Sequence, residues 1–578
     1  MIKCNNIQEI KGSEVLDHLG LVAATIKKLG IAEEIDKLLP LTKSAKTTMG
    51  QRASAMILNG LGFIDDRLYM FPKFLENKPV ARLFAENLVA ADFNDDALGR
   101  FLDAIHEYGE TKLYSTIALK IALKENLLHK SVHFDTTSLS VYGEYENDDC
   151  AVETSKDQKV IKNHSNNHDS RDLELSKNAK PEYGYAKNKR FDLKQMTLLM
   201  ATTGAAGFPV WCESHNGNAS DKKTLEEAAQ RMQKFCKVLK DAPELLYVGD
   251  SAMYSSCVKN GNNLLWISKV PENIKLSKNL LYLQDISWQT LPNEYKIYAT
   301  EQEYNNVLQR WILVYSQQAY DREIITLEKN IQQEYEKIDK NLWHLGNDDF
   351  GCAKDIDTQI KKLTKTLKYH KISYKIEEIA QYLTAGRPKK HEIPQKIVYK
   401  LNASLACDEE KIKNCKLTKG RFILATNQLD KNILPNEEIL PIYKEQSGTE
   451  SGFKFIKDNA FEIDSIFLKK SGRISALMMI MTLCLMVYSY AQHFLRKQLL
   501  LNNDFVLSQS NKLTSKPSMK WIYRLFHGVH VLKLKINNEI SGLVLNLNDL
   551  LRKIIVYFGD FACKIYEVDN TFCDAVCK

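Results

Sequence analysis

Residues 131–137 read Ser-Val-His-Phe-Asp-Thr-Thr, and residues 245–251 read Leu-Leu-Tyr-Val-Gly-Asp-Ser. Each run is apolar enough to predict a buried β-strand. Each ends in a carboxylate, Asp135 in the first and Asp250 in the second. A single aspartate at a strand end is usually a turn former or a helix cap. Two such ends become informative when a third acidic residue accompanies them.

The third acidic residue is Glu450, in the spacing Tyr443-x2-Gln446-x3-Glu450-x6-Lys457. At about 100° per residue, these four side chains fall within roughly 60° on one face of a helix. Proline at 441 is expected to open that helix, since proline is favoured at a first helical position. The glycines at 448 and 452 weaken the helix prediction.

Carboxylates from two strand ends and one helix can converge on hard divalent cations. Two Mg²⁺ ions about 3.5–4 Å apart activate a nucleophile and stabilise the leaving oxygen in phosphodiester cleavage. We therefore predict that Asp135, Asp250 and Glu450 are both the catalytic residues and the metal ligands. Asp135 is expected to bridge two Mg²⁺ ions, for which Mn²⁺ can substitute.

The strand pattern around Asp135 and Asp250 predicts a fold class. Alternating or β-rich runs lie at 132–142, 194–203 and 208–214, a helical spacing follows at 222–239, and a short buried strand lies at 244–248. The order β-β-β-α-β is that of the RNase H-like fold. The chain is therefore predicted to be a multi-domain α/β protein with an RNase H-like mixed sheet as its core.

The acidic residues are spaced unequally, which predicts an insertion. Glu450 lies 200 residues after Asp250, although a strand-to-helix connection needs only a handful. We expect a β-rich and helical insertion, with two long charged helices within 322–382 that are broken near 346–351, and a strand at 421–426 that rejoins the main sheet. The predicted parts are an all-helical N-terminal domain (1–128), the first core part (129–260), the insertion (261–420), the second core part (421–505) and a C-terminal α/β region that is a candidate for dimerisation (506–578). The helices expected in the N-terminal domain include 13–29, 50–61 and 95–108, the last opened by Asn94 as a cap.

Composition narrows the class of protein only in part. Hydrophobic residues make up 44% of 578 residues, which indicates a globular chain. The net charge of +7 is compatible with a nucleic-acid partner without deciding for one. Twelve scattered cysteines indicate free thiols in a reducing cytoplasm. The uncharged run 474–491 is interpreted as a buried helix of a large domain. The alternative hypothesis of a membrane transporter is supported by that run alone.

The chain resembles the DDE transposases of bacterial insertion sequences, in the group marked by a Y-x2-R-x3-E-x6-K signature. The matching stretches, in the order of that family, are 133–143, 184–195, 217–221, 248–251, 421–427 and 450–458. The resemblance implies a β-rich insertion domain and cut-and-paste chemistry on terminal inverted repeats. The same resemblance implies that the helical N-terminal domain (1–128) binds the DNA ends, and the alternative for that domain is a role in packing or dimerisation alone. It also implies a partner of double-stranded DNA, a homodimer in the synaptic complex, and a nucleoid-associated protein in the bacterial cytoplasm.

The DNA contacts expected from the sequence surround the acidic residues. Lys457 lies about 10 Å along the helix from Glu450, which suits a phosphate contact, and Tyr443 and Gln446 could bind the same backbone. Gln446 replaces the arginine of the signature, so a bidentate charged contact is lost there. The expected contacts of a basic loop leading into a strand are Lys187, Lys189 and Arg190.

Two tryptophans of the insertion, Trp288 and Trp311, are candidates for stacking on a flipped base, as related transposases do. Core packing is the alternative for either residue. The leading functional hypothesis is an active transposase that cleaves element ends and joins the 3′-hydroxyls to target DNA. The alternatives are a catalytically inactive repressor or scaffold derived from a transposase, and a stand-alone nuclease such as a junction resolvase.

Overall fold

A computed structural model gives the fold of the protein in two compact units. Unit 1 comprises Met1–Ser268 and Pro441–Lys578, and unit 2 comprises Lys269–Leu440. The residues that the structure describes are 7–41, 45–62, 70–142, 179–185, 190–204, 206–238, 243–260, 264–382, 393–458, 468–536 and 539–569.

The first part of unit 1 begins with one strand and seven helices and continues into a sheet. The elements are β1 (Ile7–Val15), α1 (Leu19–Leu29), α2 (Ile31–Leu38), α3 (Met49–Leu61), α4 (Phe71–Glu76), α5 (Val80–Leu83), α6 (Asp95–Tyr108), α7 (Glu110–Lys124), β2 (Ser131–Val141), β3 (Lys194–Thr203), β4 (Phe208–Asn216), α8 (Asp221–Val238), β5 (Leu246–Gly249), α9 (Ser251–Asn260) and β6 (Leu265–Lys269).

Unit 2 alternates strands with long helices. Its elements are α10 (Lys275–Leu281), β7 (Gln289–Thr290), β8 (Tyr295–Tyr304), β9 (Val307–Ser316), α11 (Gln317–Asn347), α12 (Ala353–Thr366), β10 (His370–Gln381), β11 (Lys396–Cys407), α13 (Glu409–Leu417) and β12 (Arg421–Thr426).

The chain then returns to unit 1 through α14 (Asn436–Lys444), which begins before the boundary between the units. The remaining elements are α15 (Ser447–Ile456), α16 (Ser471–Leu501), β13 (Val506–Leu507), β14 (Leu513–Thr514), α17 (Met519–Leu525), β15 (His530–Ile536), β16 (Glu539–Leu545), α18 (Asp549–Tyr557) and α19 (Asp560–Tyr566).

The core of unit 1 is a mixed sheet in the order β4-β3-β2-β5-β6. The pairs β2–β3 and β3–β4 are antiparallel, whereas β2–β5 and β5–β6 are parallel. Numbered from its first strand, this is the order 3-2-1-4-5 of the RNase H-like fold. The predicted mixed α/β fold class is therefore confirmed, and the parallel centre brings the carboxyl ends of β2 and β5 to the same edge.

The long uncharged helix is α16, and it runs through the interior of unit 1. It is the one helix in the described part of the chain that is long and apolar enough to cross a membrane. Within its most apolar window, 89% of the residues are buried in the protein. The helix packs against α3, α6 and β4. Its apolar composition is explained by these contacts, since a helix that is apolar on all sides is one that is buried all round.

Local signals correctly predicted one helix of the N-terminal region. The predicted helix at 95–108 is α6, and Oδ1 of Asn94 caps it by accepting a hydrogen bond from the N–H of Ala97 at 2.9 Å. An asparagine side chain satisfies a free N–H at the start of a helix wherever the helix packs. This prediction therefore needed no knowledge of distant residues.

The prediction of an all-helical N-terminal domain is wrong in one respect. Residues 7–15 form β1, which pairs antiparallel with β15, and β15 pairs with β16 in a three-stranded sheet. The helix predicted over 13–29 consequently starts only at Leu19. The partner of β1 lies more than 500 residues away, so no local pattern could show it. The ends of the chain form one region, and the hydroxyl of Tyr566 donates to the backbone oxygen of Asp17 at 2.6 Å.

Unit 2 contains four strands that are hydrogen-bonded in the order β12-β9-β8-β7, and a separate two-strand sheet of β10 and β11. The insertion was predicted to end at 420, but the unit continues to Leu440 because β12 pairs along its length with β9. Arg310 on β9, buried, donates to the backbone oxygens of Gln428 and Leu434 at 3.0 and 2.6 Å. These bonds hold the segment after β12 within unit 2.

The second charged helix predicted in the insertion is shorter than expected. The first helix, α11, ends at Asn347 and α12 begins at Ala353, as the predicted break near 346–351 requires. However, α12 ends at Thr366, and the segment that follows is the strand β10. Its sequence His-Lys-Ile-Ser-Tyr-Lys-Ile alternates apolar and polar residues, and the apolar face packs on the core of α11 and α12. The period of two marks a strand.

Candidate active site

Asp135 and Asp250 lie side by side on neighbouring parallel strands. In the register of β2 with β5, His133 is opposite Val248. Asp135 and Asp250 each follow by two residues, so they stand at the same level, on the same face, with strands spaced about 4.8 Å apart. Asp135 was predicted at a strand end, but β2 continues to Val141 because its other edge stays paired with β3. Asp135 therefore lies on β2 just beyond the part of the strand that is paired with β5.

Backbone N–H groups orient both carboxylates. Oδ1 of Asp135 accepts from the N–H of Thr136 at 2.7 Å. Oδ1 of Asp250 accepts from the N–H of Ala252 at 2.8 Å, at the start of α9. An acidic side chain at a helix start is stabilised by the free N–H groups there. Asp250 therefore caps the start of α9 and also lies beside Asp135.

The segment with Glu450 forms two short helices, whereas one was expected. Pro441 lies inside α14, which ends at Lys444, and a turn leads into α15. Gln446 is the N-cap residue of α15 with helical dihedral angles, so the stripe of Tyr443, Gln446 and Glu450 survives the interruption. Lys457 is the C-cap residue, directly after the last residue of α15.

Two hydroxyl contacts fix α15 against the sheet. Thr449 is fully buried, and its Oγ1 lies 2.6 Å from Oγ1 of Thr202 on β3. The same Oγ1 donates to the backbone oxygen of His133 on β2 at 3.2 Å. Glu450 follows Thr449 directly, and its side chain is exposed. The contacts therefore place Glu450 above the strand that carries Asp135.

The two glycines that weakened the helix prediction allow α15 to approach the sheet. A Cβ atom on Gly448 would lie 2.9 Å from Cα of Gly207, in the turn between β3 and β4. A Cβ atom on Gly452 would lie 2.9 Å from Leu485 on α16 and 3.0 Å from Met200 on β3. Glycine has low helix propensity, but here the missing side chain is what permits the close packing. By propensity the two glycines count against the helix, whereas they are the residues that allow it to pack on the sheet.

A buried polar cluster beneath α14 and α15 was missed by the sequence analysis. His133 is fully buried on β2, with its Nε2 3.3 Å from Oγ of Ser131 and 3.6 Å from Oε2 of Glu445. The hydroxyl of Ser131 donates to Oε2 of Glu445 at 3.4 Å. The imidazole of His133 holds the pKa of Glu445 below its usual value. Spacing could have revealed the pair, since Glu445 lies between Tyr443 and Gln446, and His133 shares a strand face with Asp135.

Tyr443 lies within electrostatic range of all three acidic residues. Its pKa is raised to about 12, first by burial and then by the negative charges of Asp250, Glu450 and Asp135. Opposite or like charges shift a pKa when they lie in the same neighbourhood, so the three carboxylates share the surroundings of one side chain. Tyr443 therefore remains protonated at neutral pH.

The three carboxylates do not form a ready metal-ligand group in this conformation. Within the described ranges, no set of three or more His, Cys, Asp and Glu side chains stands close enough to hold a metal ion. Oxygen donors suit Mg²⁺ or Mn²⁺ in chemistry, but the predicted geometry of two shared ions is not reproduced. Mutual repulsion of like charges opposes closer approach, and the backbone bonds of the two aspartates hold their orientation.

The predicted DNA contacts have different surroundings. Gln446 is buried, with 8% of its surface exposed, so little of its amide is available to a phosphate. Lys457 is half-buried at the end of α15. The guanidinium of Arg190 is exposed but binds Asp192 through two hydrogen bonds of 2.8 Å, which raise the pKa of Arg190. Lys187 and Lys189 lie outside the described residues.

The same segment exposes aromatic side chains that the sequence analysis did not select. Tyr185 is 81% exposed and Phe191 is 60% exposed, and their ring centroids are 6.4 Å apart. Large exposed aromatic rings beside basic residues are typical of nucleic-acid contact surfaces. The alternation of Tyr, Lys and Arg in 183–190 was the available signal.

The structure separates the two tryptophans of the insertion. Trp311 is fully buried on β9, with its indole N–H donating to Oε1 of Gln309 at 2.9 Å, so it packs in the core as the alternative interpretation expected, and it is excluded as a candidate for base stacking. Its place on a central strand of the unit 2 sheet makes it a core residue. Trp288 is half-buried beside Arg421, whose guanidinium lies 5.7 Å from the centre of its ring. Trp288 remains a candidate.

Two sequence families match the chain. Residues 154–487, more than half of the chain, match the family described as "Transposase DDE domain". Residues 11–119 match a family described as "Domain of unknown function (DUF4277)". The first match includes Asp250 and Glu450 and begins after Asp135.

Among solved structures, the chain is similar to a cryo-EM structure of the piggyBac transposase synaptic complex with hairpin DNA. The identity is 10%, the TM-score is 0.34, and the alignment covers 89% of this chain and 80% of that one. No curated protein matches the chain in sequence.

Proposed function

Since the chain belongs to the family of transposase DDE domains, we propose that it is a DNA transposase that moves its own insertion sequence. It would bind the terminal inverted repeats, cleave the element ends and join the 3′-hydroxyls to target DNA. The observation that supports this most directly is the position of Asp135 and Asp250 at the same level of two neighbouring parallel strands. Their charges act on Tyr443 together with the charge of Glu450.

The residues of the chain have distinct roles in this proposal. Asp135 and Asp250 are held in fixed orientations by backbone N–H groups, so they need little reorganisation to face a phosphodiester. Tyr443 keeps its proton at neutral pH, because its pKa is about 12, and donates a hydrogen bond to a non-bridging phosphate oxygen. Thr449 positions Glu450 through its contacts to the sheet.

Divalent metal ions are typical of this family. We propose dependence on Mg²⁺, with Mn²⁺ as a substitute, because the three acidic residues offer hard oxygen donors. When bound, such an ion supplies positive charge beside the scissile phosphate. The partners proposed are double-stranded DNA and a second copy of the chain in the synaptic complex, in the bacterial cytoplasm.

The test is cleavage of DNA that carries the element ends. Wild type, Asp135→Asn and Glu450→Gln are compared in Mg²⁺, and strand nicks and joined products are measured on denaturing gels. Both variants should lose cleavage and strand transfer while they still bind the ends. Glu328→Gln is the matched control, because Glu328 is also an exposed helical glutamate, on α11 in unit 2, and it should behave as wild type.

Equal cleavage by wild type and Asp135→Asn would overturn the catalytic role of the carboxylates. A wild-type chain that binds the ends but cleaves nothing would instead identify the inactive repressor or scaffold. Cleavage without any joining would favour a nuclease.

A further inference from the structure

Residues 445–449 connect α14 to α15 and lead directly into Glu450. We call this segment the joint. Its backbone closes through the N–H of Gly448, which donates to the oxygen of Glu445 at 2.9 Å. The N–H of Thr449 likewise donates to the oxygen of Gln446 at 3.0 Å. Contacts at the two ends of so short a segment fix the place from which Glu450 extends.

His133 of β2 lies beside both ends of the joint. Its backbone oxygen accepts a hydrogen bond from Oγ1 of Thr449 at 3.2 Å. Nε2 of its imidazole lies 3.6 Å from Oε2 of Glu445. The imidazole is fully buried, whereas 32% of the Glu445 side chain is exposed, so this contact lies at the edge of the interior. His133 therefore links the joint to the strand that carries Asp135.

Ser131 connects the imidazole with the carboxylate. Its Oγ lies 3.3 Å from Nε2 of His133 and donates to Oε2 of Glu445 at 3.4 Å. Ser131, His133 and Asp135 alternate along β2, so their side chains share one face of the sheet. Glu445 thus binds the same face of the strand that presents the first carboxylate of the acidic site.

The lengths of these contacts decide what their loss would do. Both exceed the usual hydrogen-bond length of about 2.7–3.0 Å, so each contact is weak. The fold of unit 1 does not depend on them, because the buried hydroxyl of Thr449 also holds α15 on the sheet. Removing the Glu445 side chain should therefore loosen the joint without unfolding the protein.

We infer that Glu445 is a positioning residue: bound to Ser131 and His133, it holds the joint so that Glu450 keeps its place relative to Asp135. Glu445 acts through Glu450 and contacts neither substrate nor metal in this role. The role rests on the proposed function, because the reaction that it serves is cleavage of the element ends. In the spacing Tyr443-x2-Gln446-x3-Glu450, residue 445 is one of the unspecified positions.

The test compares single-turnover cleavage of end-containing DNA by full-length wild type, Glu445→Ala and Glu445→Gln. Glu445→Ala should slow cleavage by about tenfold, because a small misplacement of a reacting group is costly. Affinity for the ends and the melting temperature should not change, since the lost contacts are weak. Glu445→Gln keeps an oxygen that accepts from Ser131 and should retain most of the rate.

Two further variants separate the serine from the glutamate. Ser131→Ala should slow cleavage less than Glu445→Ala does, because His133 still faces the carboxylate. Ser131→Ala/Glu445→Ala should be no slower than Glu445→Ala alone, because the serine acts only through the glutamate. The matched control is Glu438→Ala, an exposed glutamate of α14, which should cleave as wild type does.

Amide hydrogen exchange gives a second readout that needs no cleavage. A peptide from α15 should exchange faster in Glu445→Ala than in wild type or Glu438→Ala, because a loosened segment opens more often. A chain that shows this difference but cleaves no element ends would keep Glu445 as the anchor of the joint and lose the proposed function.

Three results would overturn the positioning role. The first is cleavage by Glu445→Ala at the rate of wild type, or unchanged hydrogen exchange of α15 in that variant. The second is a rate for Glu445→Gln as low as that for Glu445→Ala. The third is a loss of DNA affinity or of melting temperature in Glu445→Ala that accounts for the slower cleavage.

Discussion

The acidic site of unit 1 and a basic cleft of unit 2 are built in opposite ways. The residues that line the basic cleft include Trp288, Tyr315, Tyr320, Lys413, Lys416 and Arg421. In the acidic site, backbone hydrogen bonds orient two carboxylates and a buried threonine positions the helix that carries the third. In the basic cleft, exposed lysines stand beside half-buried rings. Carboxylates that repel each other must be positioned by the fold, whereas lysines that attract a polyanion can adjust to it.

The largest expected effect separates chemistry from binding. Asp250→Asn should lower cleavage of end-containing DNA on the order of 10³-fold or more, because groups that act as a unit fail together. Binding of the element ends should not change. The measurements are single-turnover cleavage and the anisotropy of labelled end-containing DNA on the same preparation, with Asp339→Asn, an exposed aspartate of α11, as the control. A parallel loss of DNA binding would contradict a role of Asp250 in chemistry alone.

The next effect concerns the stability of the sheet that holds the acidic site. Glu213 on β4 is buried and accepts hydrogen bonds from Arg231 at 2.9 and 2.6 Å. Glu213→Ala leaves the guanidinium buried without its partner, so unfolding free energy should fall by about 3–5 kcal/mol in denaturant titrations. The double change Glu213→Leu/Arg231→Met should recover part of the loss. If Glu213→Ala leaves the free energy of unfolding unchanged, the ion pair does not stabilise the sheet.

The same pair predicts a pH dependence. Despite the opposing effect of burial, hydrogen bonds from His215 and Arg231 lower the pKa of Glu213 to about 2, from 4.5 when unfolded. A depressed carboxyl pKa contributes stability that is complete above about pH 4.5 and is lost as the pH falls towards 2. Melting temperatures measured between pH 7 and pH 3 should therefore fall more steeply for wild type than for Glu213→Leu/Arg231→Met. Parallel curves would refute this assignment.

A smaller effect tests how α15 is positioned. Thr449→Val removes the hydroxyl that contacts Thr202 and the backbone oxygen of His133, with little change in volume. Loss of buried hydrogen bonds costs about 1–3 kcal/mol, and we expect about tenfold slower cleavage with unchanged affinity for DNA. Thr449→Ser retains the hydroxyl and should restore the rate. Equal cleavage rates for Thr449→Val and Thr449→Ser would show that the hydroxyl does not position Glu450.

The smallest effect is spectroscopic and needs no substrate. Asp250→Asn removes the negative charge that raises the pKa of Tyr443 more than those of Glu450 and Asp135 do, so the pKa of Tyr443 should fall below 12. It should stay above the ordinary value of 10, because burial is the largest cause of the shift. NMR titration of tyrosine ring carbons, assigned with Tyr443→Phe, measures it. Adding Mg²⁺ to wild type should lower the same pKa if cations bind among the carboxylates, and no shift would contradict binding there.

Sequence patterns predicted whatever depends on neighbours along the chain. The cap of α6 and the strands around Asp135 and Asp250 follow from local periodicity and hydrogen-bonding chemistry. Strand β1 was missed because its partner β15 comes from the other end of the chain. Spacing placed His133 and Glu445 each beside a predicted site residue, but their contact with each other joins segments some 300 residues apart and could not be predicted.

The sequence by itself determined the fold class and the family, and it predicted the three acidic residues as the candidate site, because strand periodicity and motif spacing are properties of the chain order. Only the tertiary structure decided that Trp311 is a core residue and Trp288 lines a cleft. Only it showed that the glycines of α15 permit close packing and that the charges of the three carboxylates act on Tyr443, although the carboxylates form no metal-ligand group within the described residues. Burial and distance arise from segments far apart in sequence, so no local pattern contains them.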